Sequence, residues 1–143
     1  MKRKICSNKK AFHEYEIIDS IEAGIVLQGC EVKSLSLYKA SLNGSYAVVK
    51  NDEIWLNGFH IERYENQNTF ADYNPLRPKK LLLKRKEIKK FVEINLQKGF
   101  TLIPLEVYFN EGKVKVELAV CRGKKLYDKR QAEKAKEFRK EIK

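Results

Sequence analysis

Two histidines and three cysteines are the side chains that catalysis or metal binding would use first. His13 and His60 would serve as the acid and base of a metal-free ribonuclease. They lie in different segments, and nothing around either marks them as a pair, which favours structural or surface roles. Cys6, Cys30 and Cys121 are scattered, form no CxxC and have no zinc-binding spacing with the histidines. We therefore predict no catalytic residue, no metal site and no cofactor, and cysteines that act as small hydrophobic residues in a reducing compartment.

A carboxylate beside a glycine is better suited to contacting nucleic acid. Glu22 lies two positions before Gly24 in a segment rich in isoleucine, and backbone can approach a ligand closely at a glycine. The Glu22 carboxylate could accept hydrogen bonds from base amino groups. The pattern is equally consistent with an ordinary surface residue of a strand.

A second candidate is the basic run from Arg77 to Lys86, which encloses three leucines at positions 81–83. The leucines would anchor the helix that follows them to the rest of the fold. The basic flanks, which include Lys80 and Lys84, would line a path for phosphates.

The third candidate is the segment Gly123–Arg130, which combines an aromatic ring with charge. Tyr127 could stack on an unpaired base, or the segment is the solvated start of a basic helix with Asp128 near its N-terminus. Residues 124–143 contain strong helix formers but only a thin apolar face. We predict a basic tail that is poorly ordered or partly helical when free and helical on a partner.

The charge is distributed in blocks, with 30 basic and 19 acidic residues and a net charge of +11. Residues 1–10, 77–90 and 122–143 are strongly basic, whereas residues 11–76 hold four basic and ten acidic side chains. Solvated surface lysines scattered at random would not leave residues 11–76 negative. The blocks therefore predict a partner rich in phosphate.

The elements that position these residues are predicted to be mainly strands. Two runs with alternating apolar residues, 102–109 and 114–121, predict an antiparallel hairpin across a glycine-containing turn, and Pro104 is expected at an edge or bulge. The remaining predicted elements are a strand over 15–27, a hairpin from 45–49 and 53–57, helices near 30–38 and 86–97, and a long loop over 65–80.

A chain of 143 residues is the size of one domain. Strands joined by hairpins and a few helices predict a mainly β fold, a small antiparallel OB-like β-barrel with flanking short helices over residues 11–123. Such barrels bind nucleic acids. A mobile basic arm over 1–10 precedes it, and the basic tail of 124–143 follows. Apolar runs fall far short of the roughly 20 residues of a membrane span, and no signal-peptide pattern is present. A cytoplasmic location and no membrane partner are expected.

Five stretches, taken together and in this order, resemble the bacterial SsrA-binding protein (small protein B) family: 22–25, 29–35, 77–83, 98–104 and 123–130. The resemblance implies an oligonucleotide-binding barrel that binds the tRNA-like part of transfer-messenger RNA (tmRNA). It also implies delivery of that RNA to stalled ribosomes for trans-translation, which rescues the ribosome and tags the nascent chain. The implied protein is an adaptor without a reaction of its own, and no DNA partner is expected.

The same resemblance assigns roles to single residues. Glu22 and Leu82 are implied RNA contacts, together with Lys84, which stands where the family more often has His or Asn and can still meet a phosphate. Lys80 is expected to add a phosphate contact, as are Lys124 and Lys125. The implied contacts with the ribosomal decoding centre are Tyr127, Asp128, Lys129 and Arg130.

Two other functions remain open at this point. One is a ribosomal or ribosome-assembly protein that binds another structured RNA, which would not need a separable tail carrying the motif of residues 127–130. The other is a small ribonuclease, which would need His13, His60 or a carboxylate for turnover.

Overall fold

The computed structural model describes residues 2–64, 73–95 and 99–123. Within these ranges the chain forms three helices, α1 (Lys9–Glu14), α2 (Gly29–Ser36) and α3 (Arg85–Asn95). The same ranges contain nine strands: β1 (Lys2–Ser7), β2 (Tyr15–Ile25), β3 (Ala40–Ser41), β4 (Tyr46–Lys50), β5 (Glu53–Asn57), β6 (His60–Ile61), β7 (Lys79–Leu82), β8 (Phe100–Asn110) and β9 (Lys113–Gly123).

The large antiparallel sheet closes on itself. β8 pairs with β4, and the pairing continues through β5, β7 and β2 to β9, which pairs back with β8. β1 joins β8 as an additional strand, and β3 pairs with β6 in a separate small sheet. A closed circuit of strands is the connectivity that a barrel requires. The predicted antiparallel β fold with short helices is confirmed, and its OB-like assignment stays a prediction.

Both predicted hairpins are present, and their turns explain them. β4 and β5 are joined by Asn51 and Asp52, which have φ values of 52° and 58°. β8 and β9 are joined by Glu111 and Gly112, with φ values of 52° and 77°. Two consecutive residues with positive φ give a turn whose twist matches that of the paired strands. The turns therefore set the register of both hairpins.

The core lies inside the closed sheet. Alternate strand residues point inward, and the helices add Leu35 from α2 and Phe91 from α3. A second, smaller cluster lies where α1 covers the sheet, with Ala11 packed against outward residues of β8 and β9. Both clusters fix the strands that carry the candidate site.

The N-terminal segment differs from the predicted mobile arm. Lys2–Ser7 form β1, which pairs with β8 from Lys2 opposite Asn110 to Ser7 opposite Glu106. The Arg3 guanidinium lies over the Phe109 ring, 4.7 Å from its centroid. These residues belong to the sheet because an open edge of β8 satisfies their backbone hydrogen bonds, whatever their side chains.

The predicted loop over 65–80 is shorter at its C-terminal end, because β7 already begins at Lys79. Residues 65–72 lie outside the described ranges. The prediction of a bulge at Pro104 is confirmed, since the pairing of β8 with β9 shifts register between Pro104 and Glu106. Asn8, which follows β1, contacts this bulge, because its Nδ2 donates to the Pro104 carbonyl at 3.2 Å.

Candidate nucleic-acid interface

The outward surface where β2 meets β7 carries the residues predicted to recognise RNA. Gly24 of β2 pairs with Leu82 of β7. Side chains alternate along β7, so Leu81 is buried in the core and Leu82 is 50% exposed. Glu22 lies two residues before Gly24 and is therefore exposed on the same face. We call this surface the β2–β7 face and define it by Glu22, Gly24, Lys80 and Leu82.

Gly24 allows the two strands to approach at this point. A Cβ atom built on Gly24 would lie 3.2 Å from Leu82 Cβ, which is tighter than ordinary van der Waals contact. The absence of a side chain lets the Leu82 side chain lie close over Gly24. The glycine of the predicted motif thus shapes the surface through its lack of a Cβ.

The Glu22 carboxylate is held by a tyrosine on a distant strand. Tyr108 of β8 is almost fully buried, and its hydroxyl donates to Glu22 Oε2 at 2.5 Å. Burial, and then the hydrogen bond and the negative charge of Glu22, raise the pKa of Tyr108 above its usual range. The phenol therefore keeps its proton and remains a donor at neutral pH. The hydrogen bond orients Glu22 before any ligand arrives.

Glu22 also begins a row of carboxylates across three strands. It pairs with Glu117 of β9, which in turn pairs with Glu106 of β8. Ser20 Oγ donates to Glu117 Oε1 at 3.0 Å, and Lys4 Nζ lies 3.4 Å from Glu106 Oε1. Neighbouring negative charges repel phosphate and attract hydrogen-bond donors. Glu22 is therefore suited to base amino or ribose hydroxyl groups.

The opposite end of the face is basic. The Lys80 side chain is 39% exposed, and its Nζ lies 3.4 Å from Glu53 Oε1. An exposed ion pair of this kind contributes about 0–1 kcal/mol, so a phosphate can replace the carboxylate. Lys84 is exposed just before α3, and its backbone N–H donates to Glu87 Oε1 at 2.9 Å. The face thus changes from acidic at β2, β8 and β9 to basic at β7 and the start of α3.

Two basic residues of the same run point the other way. The Lys79 side chain is fully buried, and its Nζ donates to the Phe59 carbonyl at 2.8 Å and lies 4.0 Å from Glu31 Oε2. Arg77 Nη2 donates to Glu31 Oε1 at 2.5 Å. Burial lowers the pKa of Lys79 to about 8. The phosphate path predicted for the whole run is therefore wrong for Lys79, which contacts the protein interior.

Comparison with known proteins shows the family of the chain that carries this surface. The sequence matches the SmpB protein family over residues 5–143. The chain belongs to that family. It is 54% identical over 129 residues to the SsrA-binding protein of Syntrophomonas wolfei, covering 90% of this chain and 82% of the relative. It is 56% identical over 130 residues to the SsrA-binding protein of Acetivibrio thermocellus, covering 91% and 84%.

A solved structure described as "tmRNA-SmpB: a journey to the center of the bacterial ribosome" contains a similar chain. The TM-score is 0.70 at 43% identity, and the match covers 85% of each chain. The family resemblance suggested by the five motif stretches is confirmed.

Sequence reasoning missed two residues that support this surface, Glu31 and Tyr108. Glu31 is three residues into a helix start and accepts from the Gln28 backbone N–H at 2.7 Å, a capping-box pattern that was visible. Its burial against Arg77 was not visible, because 46 residues separate the two. Tyr108 gave no local signal at all, since its partner Glu22 is 86 positions away.

The remaining predicted residues lie elsewhere. Lys124, Lys125, Tyr127, Asp128, Lys129 and Arg130 fall outside the described ranges. His13 lies on α1 and His60 on β6, so the two histidines belong to different elements. Within residues 2–64, 73–95 and 99–123, the metal-binding side chains form no cluster of three or more. No helix in that part of the chain has the length and apolar character to cross a membrane.

Proposed function

We propose that this protein is an RNA-binding adaptor that binds the tRNA-like domain of tmRNA and delivers it to stalled ribosomes for trans-translation. The observation that carries the proposal is the β2–β7 face, where an oriented carboxylate and an exposed leucine adjoin basic residues. Membership of the SmpB family and similarity to SmpB in a tmRNA complex support it. The protein performs no reaction of its own in this role and works in the cytoplasm, beside ribosomes.

Recognition divides between two kinds of contact. Glu22 accepts hydrogen bonds from base or ribose donors, and Leu82 packs against the apolar face of a nucleotide. Lys80 and Lys84 bind phosphates, and we expect the same of Lys124 and Lys125. Hydrogen bonds that involve a charged group contribute about 1.5–3 kcal/mol and depend on geometry. Phosphate contacts add affinity that depends on salt but not on sequence.

The tail has a separate task in this proposal. Tyr127 stacks on a base of the decoding site, and Lys129 and Arg130 bind rRNA phosphates, with Asp128 completing the motif. The basic tail then becomes helical in an mRNA channel that holds no message. Because mRNA competes for the same space, only a ribosome with an empty channel accepts the tail.

The RNA-binding role of the β2–β7 face is tested by measuring binding of the full-length protein to the tRNA-like RNA and to an unrelated structured RNA at several salt concentrations. Glu22→Gln should lower the affinity for the tRNA-like RNA about tenfold or more and leave the affinity for the unrelated RNA nearly unchanged. Lys80→Ala should lower the affinity for both RNAs. It should also reduce the slope of the logarithm of the binding constant against the logarithm of the salt concentration by about one. Lys113→Ala, an exposed lysine at the β8–β9 turn, is the matched control and should change neither.

If Glu22→Gln lowers the affinity for both RNAs equally, Glu22 does not make a specific contact. Equal affinity of the unaltered protein for both RNAs would favour a general binder of structured RNA, such as a ribosome-assembly protein. Slow cleavage of the RNA during the assay, abolished by replacing His13 or His60, would favour the ribonuclease.

The tail is tested by replacing Asp128, Lys129 and Arg130 together with alanine in the full-length protein. RNA binding and recruitment to stalled ribosomes should be kept, whereas peptide transfer to the alanylated RNA should be lost. Transfer at the normal rate would contradict the role proposed for residues 127–130.

A further inference from the structure

A hollow lies on the outer surface of β4 and β5, next to the β2–β7 face. Its volume is about 540 Å³, within the range of about 300–1,000 Å³ that is usual for ligand pockets. Val48, Trp55 and Pro78 supply apolar surface to its wall, and the polar groups come from Lys50, Asn51, Glu53 and Asn57. Val48 and Trp55 are paired across β4 and β5, so their side chains share one face.

The wall of this hollow matches the chemistry of a nucleobase. An indole ring offers a large flat surface on which any base can stack. The amides of Asn51 and Asn57 can both donate and accept hydrogen bonds, as the edge of a base requires. The ammonium group of Lys50 suits the phosphate that accompanies the base.

The hollow is continuous with the surface proposed to bind RNA. Trp55 is the direct strand partner of Lys80, whose side chain belongs to the β2–β7 face. Lys80 Nζ is 3.4 Å from Glu53, which also lines the hollow. An RNA strand whose phosphate replaces that carboxylate beside Lys80 therefore brings its next nucleotide to Trp55.

We infer that the Trp55 hollow binds one unpaired nucleobase of the RNA, stacked on the indole ring, as a subsite separate from Glu22 and Leu82. This inference rests on the proposed function, because it requires an RNA seated on the β2–β7 face. Structured RNAs present such bases in loops and bulges, where proteins commonly hold them by stacking.

The chain contains a single tryptophan, so its fluorescence reports on this hollow alone. The full-length protein is titrated with the tRNA-like RNA of tmRNA and excited at the red edge of the indole band. Free N-acetyltryptophanamide corrects for absorption by RNA. Stacking should quench Trp55 and protect it from acrylamide. RNA affinity is then compared for Trp55→Leu, Trp55→Phe and Phe12→Leu, the last removing an exposed aromatic ring from α1.

Trp55→Leu should weaken binding at least fivefold, whereas Trp55→Phe, which keeps a ring for stacking, should stay within about threefold. Phe12→Leu should have no effect. Circular dichroism checks that each variant is folded, and quenching of the unaltered protein needs no variant.

Absence of quenching, together with unchanged affinity of Trp55→Leu, would overturn the inference while leaving the Glu22 result standing. Quenching that appears with ribosomes but not with the RNA would make the hollow a ribosome contact and would also overturn it. Failure of the unaltered protein to prefer the tRNA-like RNA would instead refute the proposed function itself.

Discussion

Replacing Glu31 with glutamine should be the most destabilising conservative change in the described part of the chain. The Glu31 side chain is fully buried between α2 and β7, where it meets Arg77 and the equally buried Lys79. Glutamine has nearly the same size and can still accept from the Gln28 backbone N–H. The substitution therefore removes a charge while creating almost no cavity.

The expected loss follows from the charge that is left behind. Arg77 and Lys79 would both lose the carboxylate that they contact, and removing one partner of a buried ion pair costs about 3–5 kcal/mol. Domains of this size are stable by only about 5–15 kcal/mol. With a urea m value of roughly 2 kcal/mol per molar, the unfolding midpoint should fall by about 1.5–2.5 M.

The assay is urea unfolding followed by circular dichroism and by Trp55 fluorescence. Glu16→Gln is the matched control, because Glu16 pairs with Arg122 at 2.7 Å but both side chains are about half exposed. The control should lose about 1 kcal/mol or less. A midpoint for Glu31→Gln no lower than that of the control would show that the buried network does not hold α2 against β7.

Three further predictions concern single groups. Between about pH 7.5 and about pH 9.5, the unfolding free energy of the unaltered protein should rise by about 2 kcal/mol relative to that of Lys79→Met, because the folded chain releases the Lys79 proton near pH 8 while the unfolded chain keeps it to about pH 10.5. Burial raises the pKa of the Cys6 and Cys121 thiols to about 11, which opposes the rise in both proteins alike. Parallel pH profiles of the two proteins in urea titrations would contradict the prediction. Tyr108→Phe should lower the free energy of unfolding by about 1–2 kcal/mol and the affinity for the tRNA-like RNA severalfold, without changing the salt dependence of binding. Unaltered affinity would mean that the Tyr108 hydroxyl does not orient the Glu22 carboxylate. Gly24→Ala should lower the free energy of unfolding by under about 1 kcal/mol, yet lower RNA affinity about threefold or more by displacing Leu82. Gly29→Ala is the control, because a Cβ on Gly29 would meet open space, and it should leave RNA affinity unchanged.

The hairpins could be predicted from sequence because their signals are local. Alternation in β8 and β9 and the turn at Glu111 and Gly112 lie within one continuous stretch. β1 carried no such signal, since it is mostly polar and becomes a strand only through the edge of β8, about a hundred positions away. Strand formation there depends on a partner, which intrinsic propensity does not reveal.

The candidate site was predictable to a similar extent. Glu22 and Leu82 were placed by motif, and the structure brings them onto one face because Gly24 pairs with Leu82. The same motif run gave no indication that Lys79 points inward while Lys80 points outward. That distinction depends on which face of β7 meets the core, and therefore on Glu31 from a different part of the chain.

The strand pairing sets the order in which this protein can mature during its own synthesis. β1 and β2 are made first, yet their partners β8 and β9 span Phe100–Gly123. At roughly 5–20 residues per second, the first strands wait about 5–20 s before the segment that closes the sheet exists. A copy cut short by a broken message before β8 would remain on the stalled ribosome with its core open. Such a product is the kind of nascent chain that trans-translation marks for destruction.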